Sequence, residues 1–315
     1  MSQLITPLTP QDLERHRREL HVHCYRMLAS FEDAEDATQE TLTRAWNSRA
    51  SLQPESNVRA WLYKIATNTC LDQIRRSQRH PISLERSFSE IPWLQPYPDR
   101  MLDELAPSAE DPHAQAVARE TIELAFLALI QLLPARQRAV LLLREVLDYS
   151  AAETAEALDM SVPAVTSALQ RARATIAERP AREQPVKAPS PYEQELLARF
   201  IDAHERMDAA SAVATVRKDI RITMPPHPMF FEGIEEMRRL YGIAEEMGQW
   251  KLVPAWANRM PAAASYLKRP GDTELRGHKL DVLRIEDEKI VETTTFGAEL
   301  LPAFGLPATW TNESP

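Results

Sequence analysis

A chain of 315 residues is too long for one ordinary domain, and 26% charged with 44% hydrophobic residues is the balance of a soluble globular protein, which excludes fibrous and disordered classes. A net charge of -9 opposes unassisted high affinity for nucleic acid. Seven glycines against 24 prolines, with no GxGxxG and no GKS or GKT, argue against phosphate-cradling loops and nucleotide-dependent chemistry.

The first residues, "MSQLITPLTPQDLERHRREL", turn charged at once, unlike a signal peptide, and the longest apolar run, "LAFLALIQLLP", is stopped by Pro134 short of the roughly 18 to 20 residues a membrane span needs. A cytoplasmic protein without membrane contact is expected. Cys24 and Cys70 form no disulfide framework and fit a reducing compartment. In "HVHC", His21 to Cys24, helical neighbours point in different directions, so packing is expected and metal is not.

From about Gln11 to Gln78 the pattern is helical, with two strong segments, "DAEDATQETLTRAWNSR" and "NVRAWLYKIATNTCLDQIRRSQR". In the second, Trp61, Ile65, Asn68, Leu71 and Ile74 recur at three- and four-residue steps, predicting a buried stripe with Tyr63, Lys64, Asp72, Arg75 and Arg76 on the other face. Ahead of it, Glu32, Asp33, Glu35, Asp36 and Glu40 form either a solvated charged face or a surface for a protein partner. Residues 81–113 are rich in proline and acid and read as a linker. Trp93, Leu94 and Tyr97 lie between its prolines, and exposing them would be wasteful, so this stretch is predicted to dock.

Helical periodicity returns in four pieces between Ala114 and about Glu178. "SAAETAEALDM" and "PAVTSALQRARATIAER", joined by "SV", read as helix-turn-helix, with Ser150 and Glu153 as a capping box and Pro163 at a helix start. Val165, Leu169, Ala172 and Ile176 share the buried face. Thr166, Ser167, Gln170, Arg171 and Arg173 point outward, where they could donate to phosphates and base edges or simply be solvated. A proline-rich hinge follows over 181–191, within "RPAREQPVKAPSP". Beyond it come a helix over Tyr192 to Met207, a strand over Ile220 to Met224, a helix over Gly233 to Met247, and the strand-like runs "WKLVPAW", "AAASYLK" and "HKLDVLRIEDEKIVETTTF", in which "EDEK" makes a hairpin turn. Helices followed by an antiparallel sheet predict an α+β domain over 192–315.

The segment "LPARQRAVLLLREVLDYSAAETAEALDMSVPAVTSALQRARATI" resembles region 4 of bacterial extracytoplasmic-function (ECF) sigma factors, while "EDAEDATQETLTRAW" resembles region 2.2 and "NVRAWLYKIATNTCLDQIRRSQRH" regions 2.3 and 2.4. The resemblance implies two all-α sigma domains, a region 2 bundle over 11–80 and a region 4 helix-turn-helix over 114–180. It implies -10 contacts by Arg59, Tyr63, Lys64, Asn68, Asp72, Arg75 and Arg76, and -35 contacts by Thr166, Ser167, Gln170, Arg171 and Arg173. Basic side chains with aromatics suit a melted strand, whereas Trp61 falls at a packing position. It further implies core RNA polymerase as partner, with Asp33, Asp36, Gln39 and Glu40 on the β' clamp helices and region 4 on the β flap. Many members carry Gly where this chain has Asp159, and Lys and Arg where it has Thr166 and Ala168, so phosphate anchoring should lean on Arg171 and Arg173.

The last third is similar to SnoaL-like domains of the NTF2-like superfamily, through its pattern of elements and the "FEG" turn in "MFFEGIEEMRRLYG". Sigma factors with this fusion form a group in which the domain adjusts activity by intramolecular contact with the sigma domains or linker. "PWLQPYPD" resembles a motif common in that group, giving Trp93, Leu94 and Tyr97 a regulatory role. NTF2-like cones often enclose a pocket, with Phe230, Phe231, Trp250, Trp256, Tyr266 and Phe296 as lining candidates. Enzymatic members use Asp and His. Here His278 and Asp281 lie three apart on one strand, hence on opposite faces unless a bulge intervenes. The expectation is a sigma factor, monomeric when free, that directs polymerase to promoters and aids melting with no catalysis and no cofactor. The alternatives are a SnoaL-fold enzyme or ligand sensor tethered to a DNA-binding module, and a repressor without polymerase contact.

Overall fold

The computed structural model describes residues 8–52, 57–79, 91–103, 124–177 and 190–311. They fall into two compact units, one of residues 8–79 with 124–177 and the other of 91–103 with 190–311.

The first unit opens with α1 (Pro10–Glu14), α2 (Arg17–Leu28), α3 (Phe31–Ser48) and α4 (Val58–Arg76). Each of α1, α3 and α4 starts where a short polar side chain accepts from an orphan amide: Thr9 from Asp12 N, Ser30 from Asp33 N and Asn57 from Ala60 N. Leu20, Cys24, Tyr25 and Met27 of α2, Ala34, Ala37 and Ala45 of α3, and Leu62, Ala66 and Cys70 of α4 are buried. The buried stripe of α4 is therefore Leu62, Tyr63, Ala66, Thr67, Cys70 and Ile74, while Trp61, Ile65, Asn68 and Leu71 are only half-buried. Ala66, Thr67 and Cys70 are small enough to let neighbouring helices approach closely, a signal that a search for large apolar residues passes over. Cys24 and Cys70 are buried free thiols, and burial pushes the Cys70 thiol well above its ordinary range.

The same unit continues with α6 (Leu124–Gln131), α7 (Ala135–Leu141), a π-helical turn over Leu142–Val146, α8 (Ala151–Leu158) and α9 (Val162–Ala177). Ser150 and Glu153 form the expected capping box of α8. The helix stops at Asp159, whose φ of 51° and ψ of 56° are left-handed, and α9 starts three residues later. Val165, Ala168, Leu169 and Ala172 are its buried face.

The second unit holds α10 (Pro191–Glu205), α11 (Ala209–Thr215), α12 (Ile234–Met247) and a curved sheet in the order β2-β1-β6-β5-β4-β3. Its strands are β1 (Val216–Met224), β2 (His227–Glu232), β3 (Gln249–Ala257), β4 (Met260–Lys268), β5 (Leu275–Glu286) and β6 (Lys289–Gly297), with β7 (Thr309–Trp310) paired to β5. The sheet is mixed, not antiparallel throughout, because β1 runs parallel to β6. The sequence patterns miss the short α11 and β7, and β2, which lies in the run leading to α12. The β5–β6 hairpin turns at Asp287 and Glu288, with φ of 44° and 62°, inside the expected "EDEK". Leu196, Leu197 and Phe200 of α10 and Met237 and Tyr241 of α12 pack with Leu252, Ala263 and Leu283 of the sheet into one core.

Residues 91–103, ending in α5 (Asp99–Asp103), belong to this second unit, with Ile91, Leu94 and Tyr97 buried. Residues 81–90 and 104–113 of the linker and 181–189 of the hinge lie outside the described residues, and the last two hinge residues open α10. Among the described residues no helix is long and apolar enough to cross a membrane.

Candidate nucleic-acid interface

Lys64, Asn68, Asp72 and Arg75 follow one another at three- and four-residue steps along α4, so they share a face with Trp61 and Ile65. Arg75 and Arg76 are exposed, and Lys64, Asn68 and Asp72 are half-buried. Arg44 of α3 joins this surface: its Nη1 lies 3.2 Å from Asp72 Oδ2, and Arg75 Nη1 lies 3.1 Å from Asp72 Oδ1. Asp72 therefore fixes two guanidinium groups. Sequence reasoning missed Arg44, which sits in the acid-rich segment.

Tyr63 faces the other way. It is buried against α2, and its hydroxyl donates to Glu19 Oε2 at 3.0 Å while Arg59 Nε donates to the same oxygen at 2.7 Å. Burial and the Glu19 charge hold the phenol far above its ordinary range. Burial alone would raise Glu19, but bonds from His16, Arg59 and Tyr63 outweigh it and hold the carboxyl down. The ring expected at the -10 strand is thus a packing residue in this structure, and exposed Arg59 is tied to Glu19.

On α3, Asp36, Gln39 and Glu40 are exposed. Gln39 Oε1 accepts from Arg17 Nη2 at 2.8 Å and Glu40 Oε1 from Arg44 Nε at 2.7 Å. Asp33 is half-buried and tied to α4 and the residues after it, accepting from Gln73 Nε2 at 2.9 Å and Arg79 Nη2 at 2.5 Å. On α9, Thr166, Ser167, Gln170, Arg171 and Arg173 are all exposed, as their spacing predicted. Arg173 Nη2 lies 2.5 Å from Glu145 Oε1. Ala168 is buried at 2% exposure, so its departure from the ECF pattern removes no outward cation.

Two family models match the chain, Sigma-70 region 2 over residues 13–80 and Sigma-70, region 4 over residues 123–176. ECF RNA polymerase sigma factor SigG of Mycobacterium tuberculosis is 40% identical over 312 residues, which cover 93% of this chain and 82% of SigG. The chain belongs to the ECF RNA polymerase sigma factors. SigM of the same organism is 32% identical over 168 residues, covering 53% of this sigma factor and 74% of SigM. The crystal structure of M. tuberculosis SigJ shares the fold, with a TM-score of 0.59 at 21% identity, covering 95% of this chain and 99% of SigJ. The helices of the first unit are accordingly sigma regions 2 and 4, and the second unit is an α+β domain whose fold SigJ shares.

In that domain the linker residues of the sigma factor pair with the β3–β4 turn. Pro98 and Ala257 form an antiparallel bridge. Asn258 N donates to Tyr97 O at 2.9 Å, Tyr97 N donates to Asn258 Oδ1 at 2.7 Å, and Arg259 N donates to Asp99 Oδ1 at 2.8 Å. Arg100 Nη2 donates to Ala303 O at 2.7 Å. Leu94 and Tyr97 are buried and Trp93 half-buried, so the expected docking stretch does pack, against the sheet domain.

The expected lining residues of the cone divide between faces. Trp250 and Trp256 pack on the helix-side core, and Phe231 is half-buried beneath the Arg239 guanidinium. Tyr266 and Phe296 do not join that core: Tyr266 donates from its hydroxyl to Pro307 O at 2.9 Å, with its ring 5.3 Å from Trp310. Phe230 is exposed. Asp281 is fully buried; its Oδ1 accepts from Thr295 Oγ1 at 2.7 Å, and Lys279 Nζ lies 2.7 Å from Oδ2. The β4–β5 register slips between Ser265 opposite Lys279 and Tyr266 opposite Gly277, leaving His278 in a bulge with its ring edge-on to Trp250 at 5.1 Å. Regular alternation is broken there, and His278 reaches the helix side where Asp281 also points. Burial, then Lys279 and Arg269, lower the His278 pKa against the pull of Asp281. Sequence reasoning missed His204 and Tyr241, whose hydroxyl lies 2.5 Å from His204 Nδ1. Among the described residues no His, Cys, Asp and Glu cluster could hold a metal ion.

Proposed function

We propose that this cytoplasmic ECF sigma factor brings core RNA polymerase to its promoters through three faces. The Lys64, Asn68, Asp72, Arg75 and Arg76 face of α4 meets the -10 element, with Arg44 as a further phosphate contact. The Thr166, Ser167, Gln170, Arg171 and Arg173 face of α9 meets the -35 element, and Asp36, Gln39 and Glu40 of α3 meet the β' clamp helices while region 4 meets the β flap. Exposed cations flanked by polar side chains supply phosphate contacts and base-edge donors, and the acidic face keeps the free chain from binding DNA indiscriminately. Regulation lies with the NTF2-like domain, which holds the segment connecting regions 2 and 4. The Tyr97–Asn258 pairing carries this reading: a segment hydrogen-bonded to the β3–β4 turn cannot at the same time thread the polymerase.

The test is promoter-specific transcription in vitro with core polymerase, using the full-length chain and its Asp99→Ala variant, on templates recovered by selection of polymerase-bound DNA. Release of the linker raises initiation by the variant. Equal activity removes linker capture as the regulatory step, and silence of both proteins removes the sigma reading.

A ligand-sensing cone is a second reading, favoured by the bulge that turns His278 toward the Asp281 side. Native mass spectrometry of the full-length chain would show a small molecule lost on His278→Ala; an unliganded wild-type protein discards it.

A further inference from the structure

A polar cluster lies on the helix side of the second unit's sheet. Residues paired across antiparallel strands point to the same side. Ser265 of β4 lies opposite Leu252 of β3 and Lys279 of β5, and two residues earlier Ala263 lies opposite Asp281. Leu252 and Ala263 belong to the core beneath α10 and α12, so Ser265, Lys279 and Asp281 face those helices as well. His204 of α10 lies within electrostatic reach of both charges, and Tyr241 of α12 within reach of Asp281.

The hydrogen-bonding capacity left over in this cluster is donor capacity. Ser265 is fully buried, and its hydroxyl has no hydrogen-bond partner among the described residues. A buried hydroxyl in that state lowers stability, and alanine, which fills the three preceding positions, would pack there without that cost. Beside it, the Lys279 ammonium has three protons and one acidic partner, Asp281 Oδ2 at 2.7 Å, which it holds by charge without an aligned hydrogen bond. The Thr295 hydroxyl takes the other Asp281 oxygen.

Charge and exposure run the same way. The Lys279 side chain is 24% exposed and that of Asp281 is sealed at 0%, so solvent meets the ammonium with the carboxylate beneath it. Arg269, exposed just beyond β4, adds a second positive charge that acts with Lys279 on His278. Trp250 is edge-on to His278, and its indole is fixed by a bond from Nε1 to Ala244 O at 2.8 Å. A ligand here meets spare donors and positive charge at one end and an aromatic wall beside them. A carboxylate offers only acceptors and matches those donors, whereas an ammonium would face Lys279 and Arg269 with like charge.

We propose that the helix-side face of this sheet binds a small aromatic carboxylic acid, whose carboxylate accepts from the Lys279 ammonium and the Ser265 hydroxyl while its ring lies against Trp250. This names the ligand class for the ligand-sensing reading of the cone and rests on that reading. Asp281 is a positioning residue, anchoring the ammonium from below.

The test is isothermal titration calorimetry of the full-length chain at neutral pH with benzoate, phenylacetate and indole-3-acetate, each beside its neutral amide. At least one acid should bind with a Kd below about 1 mM, and its amide at least about tenfold more weakly. Ser265→Ala removes a hydroxyl that bonds nothing in the free protein, so the unliganded variant should keep or raise its Tm while affinity for the acid falls roughly tenfold. Lys279→Met with Asp281→Leu removes the ammonium without leaving a buried charge unpaired, and should bind acid and amide alike. A Ser265→Ala protein with lowered Tm and unchanged acid affinity makes the hydroxyl a packing group and overturns the proposal. Undiminished acid binding by the double variant, or no acid bound by the wild-type protein, overturns it too. Amides that bind as tightly as the acids overturn the carboxylate class but leave the ligand-sensing reading standing, since that reading falls on native mass spectrometry instead.

Discussion

Arg138 Nη1 lies 2.5 Å from the Met27 carbonyl oxygen, and the same guanidinium donates to Ile130 O at 2.9 Å, Gln131 O at 3.2 Å and Leu133 O at 3.3 Å. One buried side chain thus closes the α6–α7 turn of region 4 and caps α2 of region 2. Burial, with a smaller contribution from the Arg79 charge, lowers its pKa to about 9, which leaves it cationic at neutral pH. Arg138→Ala should destabilise the first unit by about 3 kcal/mol, since four buried carbonyls lose a charged donor. Arg138→Lys should lose nearly as much, because an ammonium cannot reproduce the fork. Urea unfolding of the full-length protein, followed by circular dichroism at 222 nm, reads both values.

Asp159 occupies the left-handed position that ends α8, the backbone conformation that glycine adopts most readily. A side chain at positive φ meets its own backbone, and Asp tolerates this better than most residues but less well than glycine. Asp159→Gly should stabilise region 4 by roughly 0.5 to 1 kcal/mol. The check is its urea midpoint at unchanged slope; a lower midpoint would mean that Asp159 makes a compensating interaction.

These two residues also show how much was legible. Arg138 lay inside the segment resembling region 4, but its role depends on carbonyls from elsewhere in the fold, which no local pattern specifies. Asp159 could be placed at a turn from sequence because helix ends obey local rules. The same contrast runs through the site. The outward face of α9 followed from its period, since that helix buries one side only. The buried stripe of α4 was assigned to the wrong side because close packing rests on Ala66, Thr67 and Cys70, while Trp61, Ile65 and Leu71 belong to a half-covered face. The relation of His278 to Asp281 hung on a bulge, whose presence is set by strand pairing and not by the strand's own residues.

His23 is fully buried and His204 half-buried, and desolvation, aided by Arg26 and Lys279 respectively, lowers each pKa to about 3. Both remain neutral in the folded protein while their unfolded counterparts protonate near pH 6.5. Between about pH 6.5 and pH 3 the unfolded state binds more protons, so stability falls with falling pH. Each histidine should remove about 1.4 kcal/mol at pH 5.5. Thermal denaturation of wild-type and His204→Gln proteins from pH 7.5 to 5 tests this, with a flatter profile expected for the second unit of the variant. Parallel profiles would assign the acid sensitivity to other groups.

The fully buried Asp281 carboxylate pairs with the half-buried Lys279 ammonium, and the Thr295 hydroxyl completes the site. Breaking such a pair by removing one partner costs more than the pair is worth, because the remaining charge stays desolvated. Asp281→Ala should cost the second unit about 3 kcal/mol, and Lys279→Met with Asp281→Leu together should recover most of that loss. Calorimetry of the full-length variants measures both. Full destabilisation in the double variant would show that Thr295 or another polar partner, and not the charge pair, sets the cost.

The linker offers a direct readout, because Arg100 is an exposed tryptic site one residue after Asp99. Cleavage requires the segment to leave the β3–β4 turn and adopt an extended form in the protease, so its rate follows the population of the released state. Asp99 Oδ1 accepts from Arg259 N at 2.8 Å within a buried contact, and its loss should cost about 1 to 2 kcal/mol. Asp99→Ala should therefore be cut after Arg100 roughly 5 to 30 times faster than wild type under native conditions. Asp99→Asn keeps an acceptor and should fall between them. Identical rates for all three proteins would mean that the linker leaves the sheet without breaking the Asp99 contact, and the hold would then rest on the Tyr97 pairing with Asn258.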